Sequence, residues 1–95
     1  MTQKEQFKLK DLIRSIHAIE EDLMVYERKY GLLSETFYSG YTQGEEPEDD
    51  TWVLDWAGWA GAYQSWLALK ERYQTMIQQF QQDTPHLTGL VRVLA

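Results

Sequence analysis

Apolar positions in the first third of the chain recur at helical intervals. Leu9, Leu12, Ile16, Ile19, Leu23, Tyr26 and Tyr30 are spaced three, four, three, four, three and four residues apart. On an α-helix that rhythm puts all seven side chains in one stripe, so residues 3–30 read as a long amphipathic helix with a coiled-coil-like heptad seam. Ile13 and Met24 widen the stripe, and Lys10, Arg14, Glu21 and Arg28 fall on its flanks. Gly31 supplies the left-handed residue that ends a helix, with Arg28 and Lys29 in the last turn, where cations suit the dipole.

A second seam is aromatic. Trp52, Trp56, Trp59, Tyr63 and Trp66 keep the same rhythm, and Tyr73, Ile77 and Phe80 extend it, with Lys70 the one exception. This predicts a helix over 51–82, stopped by Asp83, Thr84 and Pro85 because proline cannot continue the hydrogen-bonding pattern. Ala57, Gly61, Ser65 and Ala68 lie roughly opposite the rings with Gly58 beside them, so one face of this helix is thick and the other thin. Between the seams, Ser34 as a cap and Glu35 in the first turn predict a short helix over 34–41 that carries Phe37, Tyr38 and Tyr41 and is broken by Gly40 and Gly44. The loop over 42–50 follows. The tail over 84–95 is apolar for a terminus; nothing in it forces helix or strand, although Val91 and Val93 alternating around Arg92 lean towards a strand.

These elements predict an all-α fold: an antiparallel hairpin of two long helices with a short connecting helix over residues 1–83, dimerising into a helical bundle. In the expected register Tyr26 lies near Trp56, Leu23 near Trp59, Ile16 near Trp66 and Leu12 near Lys70, with the Lys70 ammonium reaching towards Asp11.

Ninety-five residues suffice for one small core, and a partner or a second copy would add to it. Cysteine is absent, so neither a disulfide nor a thiolate metal site is available. No apolar run approaches the ~20 residues needed to cross a bilayer, and the polar start is unlike a signal peptide, so a cytoplasmic protein is expected. Nine basic against fifteen acidic residues oppose non-specific attraction to nucleic acid and anionic lipid, and favour a basic protein partner.

Candidate chemistry is sparse. No serine, histidine and acid set and no phosphate-binding glycine loop can be assembled, so neither catalysis nor a cofactor is expected. His17 with Glu20 and Glu21 has metal-ligand spacing but reads as a surface salt-bridge group on the flank of the first seam. Lys4, Lys8, Lys10 and Arg14 make the first half of that helix basic, diluted by Glu5 and Asp11. Two features point to protein binding. Gly58 and Gly61 each cost a helix interior about 1 kcal/mol against alanine, which calls for close approach of another backbone or chain to the face of Ala57, Gly58, Gly61 and Ser65. Glu45, Glu46, Glu48, Asp49 and Asp50 place five carboxylates in six positions, a solvated connector or an electrostatic plug for a basic groove.

Three stretches carry a resemblance: Tyr26-Glu27-Arg28-Lys29-Tyr30-Gly31-Leu32-Leu33-Ser34-Glu35-Thr36-Phe37-Tyr38, then Gly44-Glu45, then Asp55-Trp56-Ala57-Gly58-Trp59-Ala60-Gly61-Ala62-Tyr63 with Trp66-Leu67-Ala68-Leu69-Lys70. Over about residues 20–72 the chain resembles short prokaryotic helical proteins encoded beside a small toxin gene and taken to be antitoxins. The loop before Asp55 is longer than that pattern, and the tail after Pro85 lies beyond it. The resemblance implies a non-catalytic protein that binds and neutralises a small toxin, one acting on RNA. Phe37, Tyr38 and Tyr41 with the thin face around Gly58 and Gly61 would form the anchor, and Glu45 to Asp50 would face the toxin's basic groove. The other expectation is a self-assembling helical bundle with no separate partner.

Overall fold

Both seams form helices and meet. The computed structural model describes residues 3–95 and holds four helices: α1 (Gln3–Tyr30), α2 (Ser34–Thr42), α3 (Asp50–Asp83) and α4 (Leu87–Leu94). Residues 1 and 2 of the predicted 1–83 unit lie outside the described residues. α1 and α3 run antiparallel: Tyr30 packs on Trp52 near one end, Glu20 meets Trp66 midway, and Leu9 clusters with Phe80 near the other. The result is a rod of 51 × 21 × 20 Å whose radius of gyration is 17.1 Å. A compact globule of this length would have about 12 Å.

The turn from α1 to α2 is as short as Gly31 allows. Its φ of 74° and its N–H donating to the Glu27 carbonyl close α1 where the sequence places the stop. Ser34 is not the cap of α2. The capping position is Leu33, which makes no side-chain cap hydrogen bond, and Ser34 is the first helical residue. Glu27 does the work instead: its carboxylate reaches from α1 and accepts from the Ser34 N–H at 2.8 Å, a negative charge at a helix N-terminus. Gly40 does not break α2 either, which runs to Thr42; the chain turns back at Gly44, φ 91°, and Glu45 folds over Gly40. α3 begins at a conventional cap, Asp49, which accepts from Thr51 N–H and Oγ1 at 2.8 Å each.

Two clusters form the core. The first, at the α2 end, joins Leu23, Phe37, Trp59 and Ala60; the second, at the open end, joins Leu9, Phe80 and Leu90. The second cluster settles the open conformation of the tail against its lean towards a strand: residues 87–94 are a helix. Leu90 and Leu94 stand one turn apart on the side that packs on Leu9, Ile13, Tyr73, Met76 and Ile77. An apolar surface already present at the end of the hairpin outweighs the weak β preference of two valines, and no edge strand exists among the described residues for them to pair with.

The expected register holds at Leu23, which shares a buried cluster with Trp59, and departs at two other places. Tyr26 stacks on Trp59 at 5.7 Å between centroids rather than lying at Trp56. Lys70 does not reach Asp11: its ammonium sits 5.5 Å from the centroid of the Trp66 ring, while Asp11 pairs with Arg14 at 3.3 Å.

Candidate functional site

The residues that carry the resemblance turn out to be one another's partners. Trp59 is fully buried, sandwiched against Phe37 at 3.9 Å and nearly parallel to it, with Tyr26 and Tyr30 stacked at 5.7 and 5.6 Å. Its indole Nε1–H donates to Ser34 Oγ at 2.9 Å, and Ser34 Oγ donates to the Glu27 carboxylate at 2.8 Å. Three helices therefore close on one chain of hydrogen bonds. Beside it, Asp55 on α3 accepts from Tyr30 Oη at 2.5 Å and Lys29 Nζ at 2.6 Å on α1. Lys29 and then Tyr30 hold the Asp55 carboxyl below its usual range, while the same contact raises Lys29. Desolvation and Asp55 raise Tyr30. The motif is in the first place a fold signature, with Asp55, Glu27 and Ser34 as its polar links.

That geometry redistributes the predicted binding residues. Phe37 is core, with only 6% of its surface exposed, and Tyr41 stacks on it at 5.5 Å. Tyr38 leans on Tyr63 at 4.9 Å and its hydroxyl accepts from Gln64 at 3.2 Å. Phe37 and Tyr38 hold α2 to α3, Tyr41 packs on Phe37 within α2, and Tyr38 and Tyr41 keep part of their surface accessible. Gly58 is explained within the chain, since a Cβ there would come within 2.7 Å of the Tyr26 hydroxyl. Gly61 is not: a Cβ would meet nothing within 4 Å. Ala57, Gly58, Gly61 and Ser65 are all exposed, as are Glu45, Glu46, Glu48, Asp49 and Asp50. Asp49 doubles as the α3 cap, and the Thr51 hydroxyl and N–H hold its carboxyl below the ordinary value. Of the His17 group, Glu20 accepts from Trp66 Nε1 at 3.1 Å, and among the described residues no set of three His, Cys, Asp or Glu converges on a point.

The fold also sorts the charge along the rod, which reading the chain in order obscures. Residues 17–68, gathered at the α2 end, hold eleven carboxylates against two basic side chains, Arg28 and Lys29. The remaining residues, gathered at the open end, hold four carboxylates against seven basic side chains. Folding a hairpin brings Lys8 of α1 and Arg72 of α3 to one groove towards the open end, and collects the acidic segments opposite. No helix among the described residues is long and apolar enough to cross a membrane. No protein-family model matches the chain, and neither a curated protein nor a solved structure does.

Proposed function

We propose that this chain is a non-catalytic protein-binding module of the antitoxin type, which works in the cytoplasm and neutralises a small basic toxin by covering the groove that acts on RNA. The observation that carries this reading is the concentration of eleven carboxylates at one end of an elongated rod. A surplus of one sign on one face raises the encounter rate with an oppositely charged partner and rejects like-charged ones. The exposed run Glu45 to Asp50 lies at that end, and the open face of Ala57, Gly61 and Ser65 adjoins it on α3. Expression of this chain with the product of the neighbouring gene is the direct test. Co-purification and relief of that product's toxicity are expected, and failure of both removes the reading. Gly61→Ala sharpens it. In the free chain nothing obstructs the added methyl, so the variant should be about 0.5–1 kcal/mol more stable to denaturant. If the open face is an interface, the same variant binds the partner less well.

A second reading has its own observation. A groove of about 820 Å³ between α1 and α3 is lined by Leu12, Ala68, Leu69 and Met76 and rimmed by both signs, Lys8 and Arg72 with Asp11 and Glu71. A mixed rim suits a second copy of the same chain, and a homodimer joined there would be a helical bundle. Sedimentation checks it: a monomer across the micromolar range excludes this reading and leaves the first untouched.

A further inference from the structure

A different cleft lies within the acidic end. It spans about 460 Å³ between α1, the start of α2 and α3, with Leu23, Met24 and Leu33 as its apolar lining and Tyr63 and Trp66 as an aromatic wall. Glu20, Glu27 and Glu35 line it as well, and no basic side chain does. Glu27 is committed to Ser34, and one oxygen of Glu20 to Trp66 Nε1. Glu35 is exposed, and its charge is felt at the wall: after burial, it is the main cause that holds the Tyr63 hydroxyl above its ordinary value. The wall already attracts one cation, since Lys70 Nζ lies 5.5 Å from the Trp66 centroid without lining the cleft.

We propose that this cleft receives an arginine or lysine side chain from an amphipathic basic segment of the partner protein, its apolar stem along Met24, Leu33 and Trp66 and its charge at Glu20 and Glu35. The inference rests on the protein-binding reading above and adds the docking place and the chemistry it selects. Charge complementarity decides the occupant. A purely apolar segment would bury the Glu35 carboxylate and the second Glu20 oxygen without a partner, whereas a long basic side chain covers the apolar lining with its methylenes and brings its charge to the rim. Aromatic walls add attraction for a cation where solvent is thinned.

The probe is an acetylated hexapeptide amide, Leu-Ala-Arg-Leu-Ala-Arg, titrated into the ¹⁵N-labelled chain beside a counterpart with glutamine for arginine. The readout is the Trp66 indole N–H signal, identified by its loss in Trp66→Phe. A saturable shift with the arginine peptide and none with the glutamine peptide is expected. Glu20→Gln keeps an acceptor for Trp66 Nε1 and Glu35→Gln alters an exposed position, so both variants fold. Each should weaken binding roughly two- to fivefold. Replacing Glu45, Glu46 and Glu48 by glutamine removes only distant charge and should weaken it less than either single replacement in the cleft. No saturable shift, an equal shift with the glutamine peptide, or indifference to both glutamate replacements overturns the proposal. So does a Trp66 signal that moves with protein concentration alone, which would make a second copy the occupant. The two readings fail separately. A neighbouring gene product held equally well by the Glu20→Gln, Glu35→Gln double variant sinks the cleft and spares the antitoxin reading. A peptide that binds while the wild-type chain captures no such product does the reverse.

Discussion

The Ser34 hydroxyl ties α2 to both long helices, through Trp59 on α3 and Glu27 on α1. A serine followed by glutamate before an aromatic run is a helix-start signal, and α2 does begin there. Yet its hydroxyl faces inward, accepting from Trp59 and donating to Glu27, and only 3% of the residue is exposed. Nothing local in the sequence reveals this, because both partners are distant along the chain. Ser34→Ala leaves the Ser34 N–H to Glu27 contact intact but strips Trp59 Nε1 of its acceptor inside the core. An unsatisfied buried donor costs about 1–3 kcal/mol, so a fall in denaturant midpoint of that size is expected, with helix content by circular dichroism retained. Trp56 Nε1 is already buried without a partner, and a second such group in the same cluster would add to that load. Gly58 and Gly61 make the complementary point. The sequence flags both as costly, and only the fold separates them, since Tyr26 fills the space at one and nothing fills it at the other.

The long helices were readable as elements because each carries a seven-residue rhythm, broken only at Lys70, and a defined stop. α4 was not. Eight residues with valines at alternate positions satisfy a helix and a strand equally, and the choice was made by the surface that Leu9 and Phe80 offer them. Leu90 is the contact that makes α4 part of the core, with 8% of its surface exposed. Leu90→Ala should cost about 2–5 kcal/mol in unfolding free energy, nearer the lower figure because the chain end can relax, and should release α4 first in hydrogen exchange. The register of α1 on α3 was legible only in part: Leu23 meets Trp59 as the seam implies, but a heptad seam leaves slips of a turn nearly equal, and nothing in it foretells Tyr26 on Trp59 or Asp55 meeting Lys29 and Tyr30. The pH dependence of that link follows from its shifts. The Asp55 carboxyl is lowered on folding, so its contribution is present above the ordinary aspartate value of about 3.9 and is lost as pH falls through the folded one. Lys29 and Tyr30 are raised, so theirs is present below about 10 and is lost as pH climbs through their folded values. Denaturant midpoints should therefore fall beyond both limits, and Asp55→Asn should make both falls shallower without abolishing them, since Thr51 still lowers Asp49 and burial still raises Tyr30 and Tyr63.

At the scale of the molecule, the decisive property is one that composition hides. A formal charge of −6 describes a mildly acidic protein, whereas the hairpin converts it into a 51 Å rod with an acidic end and a basic end. In the sequence the basic start of α1 is a weak patch, because Glu5 and Asp11 interrupt it. It gains weight only when the antiparallel return adds Arg72 and Arg92 to the same end. Such a charge distribution has a kinetic consequence that differs from a uniform −6. Ionic screening falls to about 8 Å at physiological salt, so the two ends act on an approaching partner almost independently. A basic partner bound at the acidic end should associate more slowly as salt rises, while its dissociation rate changes little, because steering acts on encounter rather than on packed contacts. Neutralising Glu45, Glu46 and Glu48 should lower the association rate and shrink its salt dependence, measured by stopped-flow tryptophan fluorescence or surface binding. Neutralising Lys4, Lys8 and Lys10 should do neither, since those charges sit at the far end of the rod. A partner whose association rate ignores the first set and responds to the second would dock at the open end, and the acidic end would then serve only to keep the hairpin hydrated.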